Sequence, residues 1–287
     1  MPQRSCGKRR IALVGLLGVL SGWCWASLAE GGSPSETRYP VVVRVEKSFN
    51  GAPFEYRIES RVEGTNYAVC RVTYPSPLVT PLPQNNTVPA AYYLPRGMKP
   101  GDPKRPAVIC MHILDGNDEL MRMTCSMLAS HGIPAISFKL PYYGERGPVG
   151  GPRVLADNPK LFLEALGQSM GDIRRTVDLL ASRPEVDPEK IGIMGISLGG
   201  IISGSAAGME PRLHRAMLIL AGGDVLTIIH HARETRDLSR LIDNLSPEDR
   251  ARVEQTIAAV DPLRQAAALR ARAVAGQCGR LPQRIDR

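Results

Sequence analysis

The residues best suited to chemistry lie in Ile191–Gly200, IGIMGISLGG, where Gly195-Ile196-Ser197-Leu198-Gly199 follows an apolar run. A serine hydroxyl is a weak nucleophile until its surroundings activate it. The Gly-x-Ser-x-Gly spacing supplies surroundings of one kind when a strand precedes it and a helix follows, because the chain must then turn sharply at the serine. Gly195 and Gly199 have the steric role in such a corner, where a side chain two residues either side of a strained serine would collide with backbone. Leu198–Met209, LGGIISGSAAGM, reads as the helix, with a glycine-rich face. Ser197 is then expected at the carboxyl end of a buried strand and at a helix amino terminus, where backbone N–H groups point outward.

The elements needed to position this corner can be read along the chain. Tyr39 to Tyr93 is β-rich: VVVRVE, FEYRIESRV and NYAVCRVTYP alternate or are β-branched, separated by Asn50-Gly51 and Gly64-Thr65-Asn66. Residues 75–89 form a proline-rich loop and AAYYLP one more short strand, with a Gly/Pro-rich loop over 97–106. From Ala107 strands and helices alternate. AVICM and IPAISFKL are strands, and between them Glu119 to Ser130 carries Leu120, Met123, Met127 and Leu128 at helical spacing. Leu161 to Ser182 is a helix buried along Ile173, Val177 and Leu180, and Arg215 to Ala221 is a strand ending in Gly222-Gly223-Asp224. This alternation predicts an α/β fold, a mostly parallel doubly wound sheet covered on both faces, with the functional loops at one edge. Val225 to Val260 is helical and of mixed charge, suited to a lid, with Ser246-Pro247-Glu248-Asp249 as a helix start.

Composition narrows the function classes. Residues 1–29 have a basic start (Arg4, Lys8, Arg9, Arg10), an apolar run of ten and a small-residue end, the pattern of a signal peptide cleaved after Ala29. The expected organisation is a signal over 1–29, a β-rich segment over 30–106, a core with lid-like helices over 107–263 and a basic tail over 264–287. The net charge of +8 is concentrated at the two ends, since without the signal and the tail the body stands at −1. That distribution does not suit nucleic-acid binding. The expected address is export to the periplasm or medium, with no membrane attachment after cleavage. No metal-ligand spacing, phosphate loop or dinucleotide fingerprint is present, so no metal and no cofactor is expected. Cys110 reads as a small buried side chain, and a Cys70–Cys125 disulfide is left open.

IPAISFKLPYYGERG, RPEVDPEKIGIMGISLGG and RAMLILAGGD resemble the α/β-hydrolase superfamily, in its dienelactone hydrolase, acetyl xylan esterase and secreted peptidase-like branch. The resemblance spans about 65–263 and is most specific over 183–200. It implies Ser197 as the nucleophile of an ester hydrolase working through an acyl-enzyme on a small-molecule ester. It also implies an oxyanion hole from the backbone N–H groups of Leu198 and of Ile113, in the loop His112-Ile113-Leu114. His112, Tyr142 and Tyr143 become candidates for the substrate pocket, with His112 expected to hold its loop rather than to act as a base.

The superfamily delivers serine, acid and histidine in that order, and here the pattern breaks. Beyond Ser197 the only histidines are His214, His230 and His231. His214 precedes the RAMLILA strand, and the other two follow Asp224 by six and seven residues. Asp224 with His230 or His231 would be an unusual acid and base, and Asp224 reads more simply as a helix cap. ARAVAGQCGRLPQRIDR has neither an apolar run nor a histidine. The expectation is therefore a sheet lacking its last two strands, with the triad acid and histidine lost with them, as a shifted reading frame after codon 264 would produce. RAMLILA would then lie at an unprotected edge, open to aggregation or to an oligomer through that edge. Three functional readings stay open: an ester hydrolase, a hydrolase-like protein without catalysis, and a secreted peptidase.

Overall fold

The computed structural model describes residues 38–265, apart from 100, 149–150, 152 and 157, together with 274–278. The signal-peptide reading falls on residues outside that range. Four strands come first: β1 (Val41–Val45), β2 (Phe54–Glu63), β3 (Tyr67–Pro75) and β4 (Thr87–Pro95). Then come β5 (Arg105–Met111), α1 (Glu119–Ser130), β6 (Ala135–Phe138), α2 (Arg153–Ala156) and α3 (Pro159–Ala181). The corner is made by β7 (Val186–Ile196) and α4 (Leu198–Met209), followed by β8 (Leu213–Ala221). Three cap helices follow, α5 (Val225–His231), α6 (Arg236–Asp243) and α7 (Pro247–Ala259), and then β9 (Val274–Cys278).

The described strands form one sheet in the order β1-β2-β3-β4-β6-β5-β7-β8-β9. The pairings from β1 through β4 to β6 are antiparallel, and those from β6 through β5, β7 and β8 to β9 are parallel. The sheet is thus mixed, and its parallel half holds the corner. The central strands β5 and β7 are buried along most of their length, as expected where helices cover both faces.

One expectation is corrected. The sheet does not stop at RAMLILA: Val274–Cys278, within the arginine-rich tail, pairs in parallel with β8, Ala216 opposite Val274 and Ala221 opposite Cys278. One of the two strands expected to be missing is therefore present. It lies over the β8 edge on which aggregation and an oligomer were expected. A strand at the margin of a sheet is held by its backbone ladder, so it needs no long apolar run. Helix α1 has the expected bounds, Glu119–Ser130. Its buried stripe is Met121, Cys125 and Ala129, while Leu120, Met123 and Met127 are exposed and Leu128 is half-buried. The helix expected from the spacing is present, and the face it buries is the one that carries small Cys125 and Ala129. Cys70, Cys110 and Cys125 are all free thiols, so Cys70 and Cys125 are not bridged.

The cap helices carry a small core of their own, in which Ile229, Leu238, Ile242, Val253 and Ile257 pack with Phe162 and Leu163 of α3. Ser246 caps α7 as expected, accepting from the Asp249 N–H at 3.1 Å.

Candidate active site

Ser197 stands exposed at the junction of β7 and α4, with φ 54° and ψ −119°. Non-glycine residues rarely adopt a positive φ, and holding one there costs about 1–3 kcal/mol unless the surroundings impose it. Here they do. A Cβ on Gly195 would lie 2.2 Å from the backbone of Gly199, and one on Gly199 would lie 2.4 Å from the Met111 carbonyl oxygen. Neither clash can be relieved by a side-chain rotation. The Ser197 N–H donates to the Ile219 carbonyl of β8 at 2.9 Å, which ties the corner to the neighbouring strand.

The same close approach sets Met111 and His112 of the β5 loop against the first turn of α4. Leu198 opens α4, so its N–H has no acceptor within the helix. Among the described residues the Ile113 N–H likewise has no hydrogen-bond partner. The two candidate oxyanion donors therefore lie on segments in contact with each other, both without an acceptor.

His112 is buried, and both its ring nitrogens are committed. The Leu140 N–H donates to Nε2 at 3.0 Å, so the proton resides on Nδ1, which donates to the Ile113 carbonyl at 2.7 Å. Burial pushes the imidazole down to about 4, nearby Lys139 adding to the effect and the Ile113 hydrogen bond opposing it. A neutral ring with no free nitrogen cannot take a proton from Ser197. It pins the β5 loop to the segment after β6, as expected.

Asp224 has φ 57° and caps α5, accepting from the Thr227 N–H at 3.3 Å and the Thr227 hydroxyl at 2.6 Å. His230 Nδ1 bonds the Ser239 hydroxyl at 2.9 Å, and His231 Nδ1 bonds the Thr227 carbonyl at 2.8 Å. His214 Nδ1 bonds the Arg212 carbonyl at 3.1 Å. Among the described residues no imidazole is hydrogen-bonded to Ser197. Asp224 is thus a cap, and the structure does not assemble it with His230 or His231 into a relay.

One cavity, of about 200 Å³, opens beside the corner between α3, α4 and the cap helices. Leu198, Leu114 and Tyr143 line it on the side of the corner, and Ile228 and Leu238 line it on the cap side. Of the pocket candidates, Tyr143 lines it. His112 instead borders a second hollow near Asp118 and Lys139. Tyr142 is buried with φ 67°, its N–H donating to Asn85 Oδ1 at 3.1 Å, so it shapes the loop. Burial raises the Tyr143 hydroxyl to about 12, so it stays protonated at neutral pH.

The cap-side lining was not singled out from sequence, although Val225, Ile228 and Ile229 carried a signal in their i, i+3, i+4 spacing. Asp261 was also missed as an organiser. It is buried and accepts from the Asp224 N–H at 3.1 Å and the Val225 N–H at 2.6 Å, fixing the start of the cap. Among the described residues, no group of three or more His, Cys, Asp or Glu side chains is arranged to hold a metal ion.

Solved structures share this fold. An acetyl xylan esterase from Paenibacillus sp. R4 superposes with a TM-score of 0.59 at 20% identity, over 80% of this chain and 83% of that one. The acetyl xylan esterase 1 of Thermoanaerobacterium sp. JW/SL YS485 gives 0.58 at 16% identity, over 86% and 85%. The chain has the α/β-hydrolase fold. A glucuronoyl esterase from Solibacter usitatus with this fold matches at 0.50 and 14% identity, over 78% of this chain and 67% of that one. The sequence model of the prolyl oligopeptidase family, a group of peptidases, matches residues 164–272, from α3 of the α/β-hydrolase fold into the tail. No curated protein sequence matches the chain.

Proposed function

We propose that the chain is an exported serine hydrolase that cleaves carboxylic esters through an acyl-enzyme on Ser197. The observation that carries this reading is the strained, exposed Ser197 at the β7–α4 corner, with the Leu198 and Ile113 N–H groups lacking acceptors beside it. Ser197 Oγ would attack the ester carbonyl carbon. The carbonyl oxygen, now carrying the negative charge, would accept from those two N–H groups, each typically contributing about 3 kcal/mol in such sites. Collapse of the intermediate breaks the bond to the alcohol oxygen, which leaves with the proton given up by Ser197, and water then cleaves the acyl-enzyme, its hydroxyl going to the acid and its other proton returning to Ser197 Oγ. That two acetyl xylan esterases share the fold favours an ester over other acyl compounds. Export rests on the basic and apolar pattern of residues 1–29.

One observation favours a second reading, a hydrolase-like protein that binds without catalysing: among the described residues no imidazole reaches Ser197. The match to the prolyl oligopeptidase family model favours a third, a secreted peptidase. A fluorophosphonate separates the first from the second, since only an activated serine reacts quickly. Labelling of the full chain, abolished in Ser197→Ala along with p-nitrophenyl acetate hydrolysis, is the expected result. An unlabelled Ser197, or an unchanged rate in Ser197→Ala, overturns the esterase reading. Faster cleavage of short peptide amides than of matched esters would move the assignment to the peptidase.

A further inference from the structure

We propose that the cavity beside Ser197 is an acyl-chain pocket, and that the favoured substrates are esters of unbranched aliphatic acids of about six to eight carbons. This deepens the esterase reading and rests on it, because it takes Ser197 as the group that receives the acyl carbon.

The shape comes first. The cavity begins at Leu198, next to the nucleophile, and follows α4 past Ile201 and Ile202 to Ser205. Seven residues of helix advance roughly 10 Å, enough for an extended chain of about eight carbons. Its volume of about 200 Å³ exceeds the roughly 150 Å³ at which an apolar protein cavity already holds benzene. An acetyl group would fill only its mouth.

The chemistry of the wall comes second. Phe162, Ala165 and Met170 of α3 face Ile228, Ile229 and Leu238 of the cap across the space. Four side chains of the lining carry a hydroxyl, and three of them, Ser169, Ser205 and Thr235, have its hydrogen committed to a backbone carbonyl. Ser169 Oγ donates to the Ala165 carbonyl at 2.7 Å, and Ser205 Oγ reaches the Val260 carbonyl at 2.5 Å. Thr235 Oγ1 donates to the Ile229 carbonyl at 2.9 Å. None of these three is left to donate to a sugar hydroxyl or a uronic carboxylate, and Tyr143, beside Leu114 and Leu198, carries the one side-chain hydroxyl of the described lining outside that set. The charged lining residues are Glu234 and Asp237, both exposed at the rim, and their negative charge repels a second carboxylate. Past Tyr143 a buried polar acyl group would go largely unmatched, whereas a hydrocarbon chain meets mainly apolar partners. The alcohol half of the ester stays outside this cavity and is not selected by it.

The test compares p-nitrophenyl acetate, butyrate, hexanoate, octanoate and benzoate on the full chain. Burial of a methylene is expected to raise kcat/KM about fourfold, giving roughly 250-fold over the four methylenes from acetate to hexanoate before the gain levels off. Ala165→Phe fills the channel and is expected to lower the octanoate-to-acetate ratio at least tenfold. Ile228→Trp on the half-buried cap makes the same test if the first variant does not fold. Binding supplies a readout independent of catalysis: octanamide, but not acetamide, is expected to bind Ser197→Ala by calorimetry, and to bind more weakly once either filling substitution is added. Acetate equalling octanoate, benzoate exceeding it, or octanamide binding unaffected by both substitutions would overturn the pocket assignment. Octanamide binding without Ser197-dependent hydrolysis of any ester would uphold the pocket and sink the esterase reading instead.

Discussion

Ser197 and His112 both sit where a strand of the parallel half ends, yet the structure gives them opposite roles. Ser197 is held exposed by a strained turn, and His112 is withdrawn with both ring nitrogens bonded. The withdrawal has a measurable consequence. Burial lowers the folded-state pKa of His112 to about 4, against an ordinary histidine value near 6.5. Above that ordinary value the ring is neutral in both states and its contribution to stability is complete. As pH falls, the unfolded chain takes up a proton that the folded chain refuses, so stability drops by about 1.4 kcal/mol per pH unit, to a total of about 3 kcal/mol near pH 4. Urea unfolding at pH 7.0, 5.5 and 4.5 should show this slope in the parent and not in His112→Gln, the difference between the two removing the other titrating groups. Equal slopes would mean that the ring is accessible to protons. At this scale the sequence was informative where sterics leave a signature. The Gly195 and Gly199 spacing identifies the corner because backbone lies within 2.4 Å of where a Cβ would be. A base has no such signature, since any imidazole brought near by the fold could serve, and separation along the chain does not reveal it.

Between β6 and α3 the segment carrying Tyr142 and Tyr143 is held by an interaction that periodicity cannot disclose. Arg146 is fully buried and lies 2.8 Å from Asp172 of α3. Its Nη1 donates to the Lys139 carbonyl at 2.8 Å and its Nη2 to the Asn85 carbonyl at 2.8 Å. One guanidinium therefore fastens the cavity wall at Tyr143 to both α3 and the loop before β4. Burial pushes the Asp172 carboxyl upward, with Arg146 and the Ser76 hydroxyl opposing, so the ion pair does not repay its full desolvation. Removing one partner is still costly. Arg146→Leu should lose about 3–5 kcal/mol of unfolding free energy by leaving a buried carboxylate alone. Arg146→Lys should recover little, because a single ammonium cannot span the three acceptors that the planar fork reaches. Adding Asp172→Asn to Arg146→Leu should restore part of the loss. A loss below about 1 kcal/mol for Arg146→Leu, the level of an exposed pair, would show that the pair is not buried in solution. In sequence this segment reads only as a long turn, since PYYGERGPVGG has the composition of a surface loop. Most other elements were legible, because the spacing of Ile173, Val177 and Leu180 in α3 and the continuous apolar run of β7 each reflect burial on a regular backbone.

At the scale of the whole molecule the outcome turns on β9. Hydropathy gave no hint of it, because Val-Ala-Gly-Gln-Cys is short and small and lies among arginines. What holds it is the pairing of its backbone with β8, from Ala216 opposite Val274 to Ala221 opposite Cys278. That ladder converts β8 from an edge strand into an internal one, and β8 needs it. Met217 and Leu220 on β8 are 47% and 65% exposed, so an uncovered edge would offer free N–H and C=O groups beside apolar side chains. The cap depends on the same region, since Asp261 anchors the start of α5, and Pro262 packs where a Cβ on Gly204 would meet it at 3.2 Å. A chain ending at Gln265 keeps those anchors and removes β9. It should melt roughly 5 °C lower or more, the shift of about 2 kcal/mol in a domain of this size, and light scattering should show association as β8 edges pair between molecules. The described lining of the acyl pocket comes from α2, α3, α4, the cap and the loops after β5 and β6, so octanamide binding to whatever monomer remains should persist. Unchanged melting and a monodisperse sample would show that the tail strand adds nothing to the sheet, returning β8 to the unprotected margin that its sequence alone suggests.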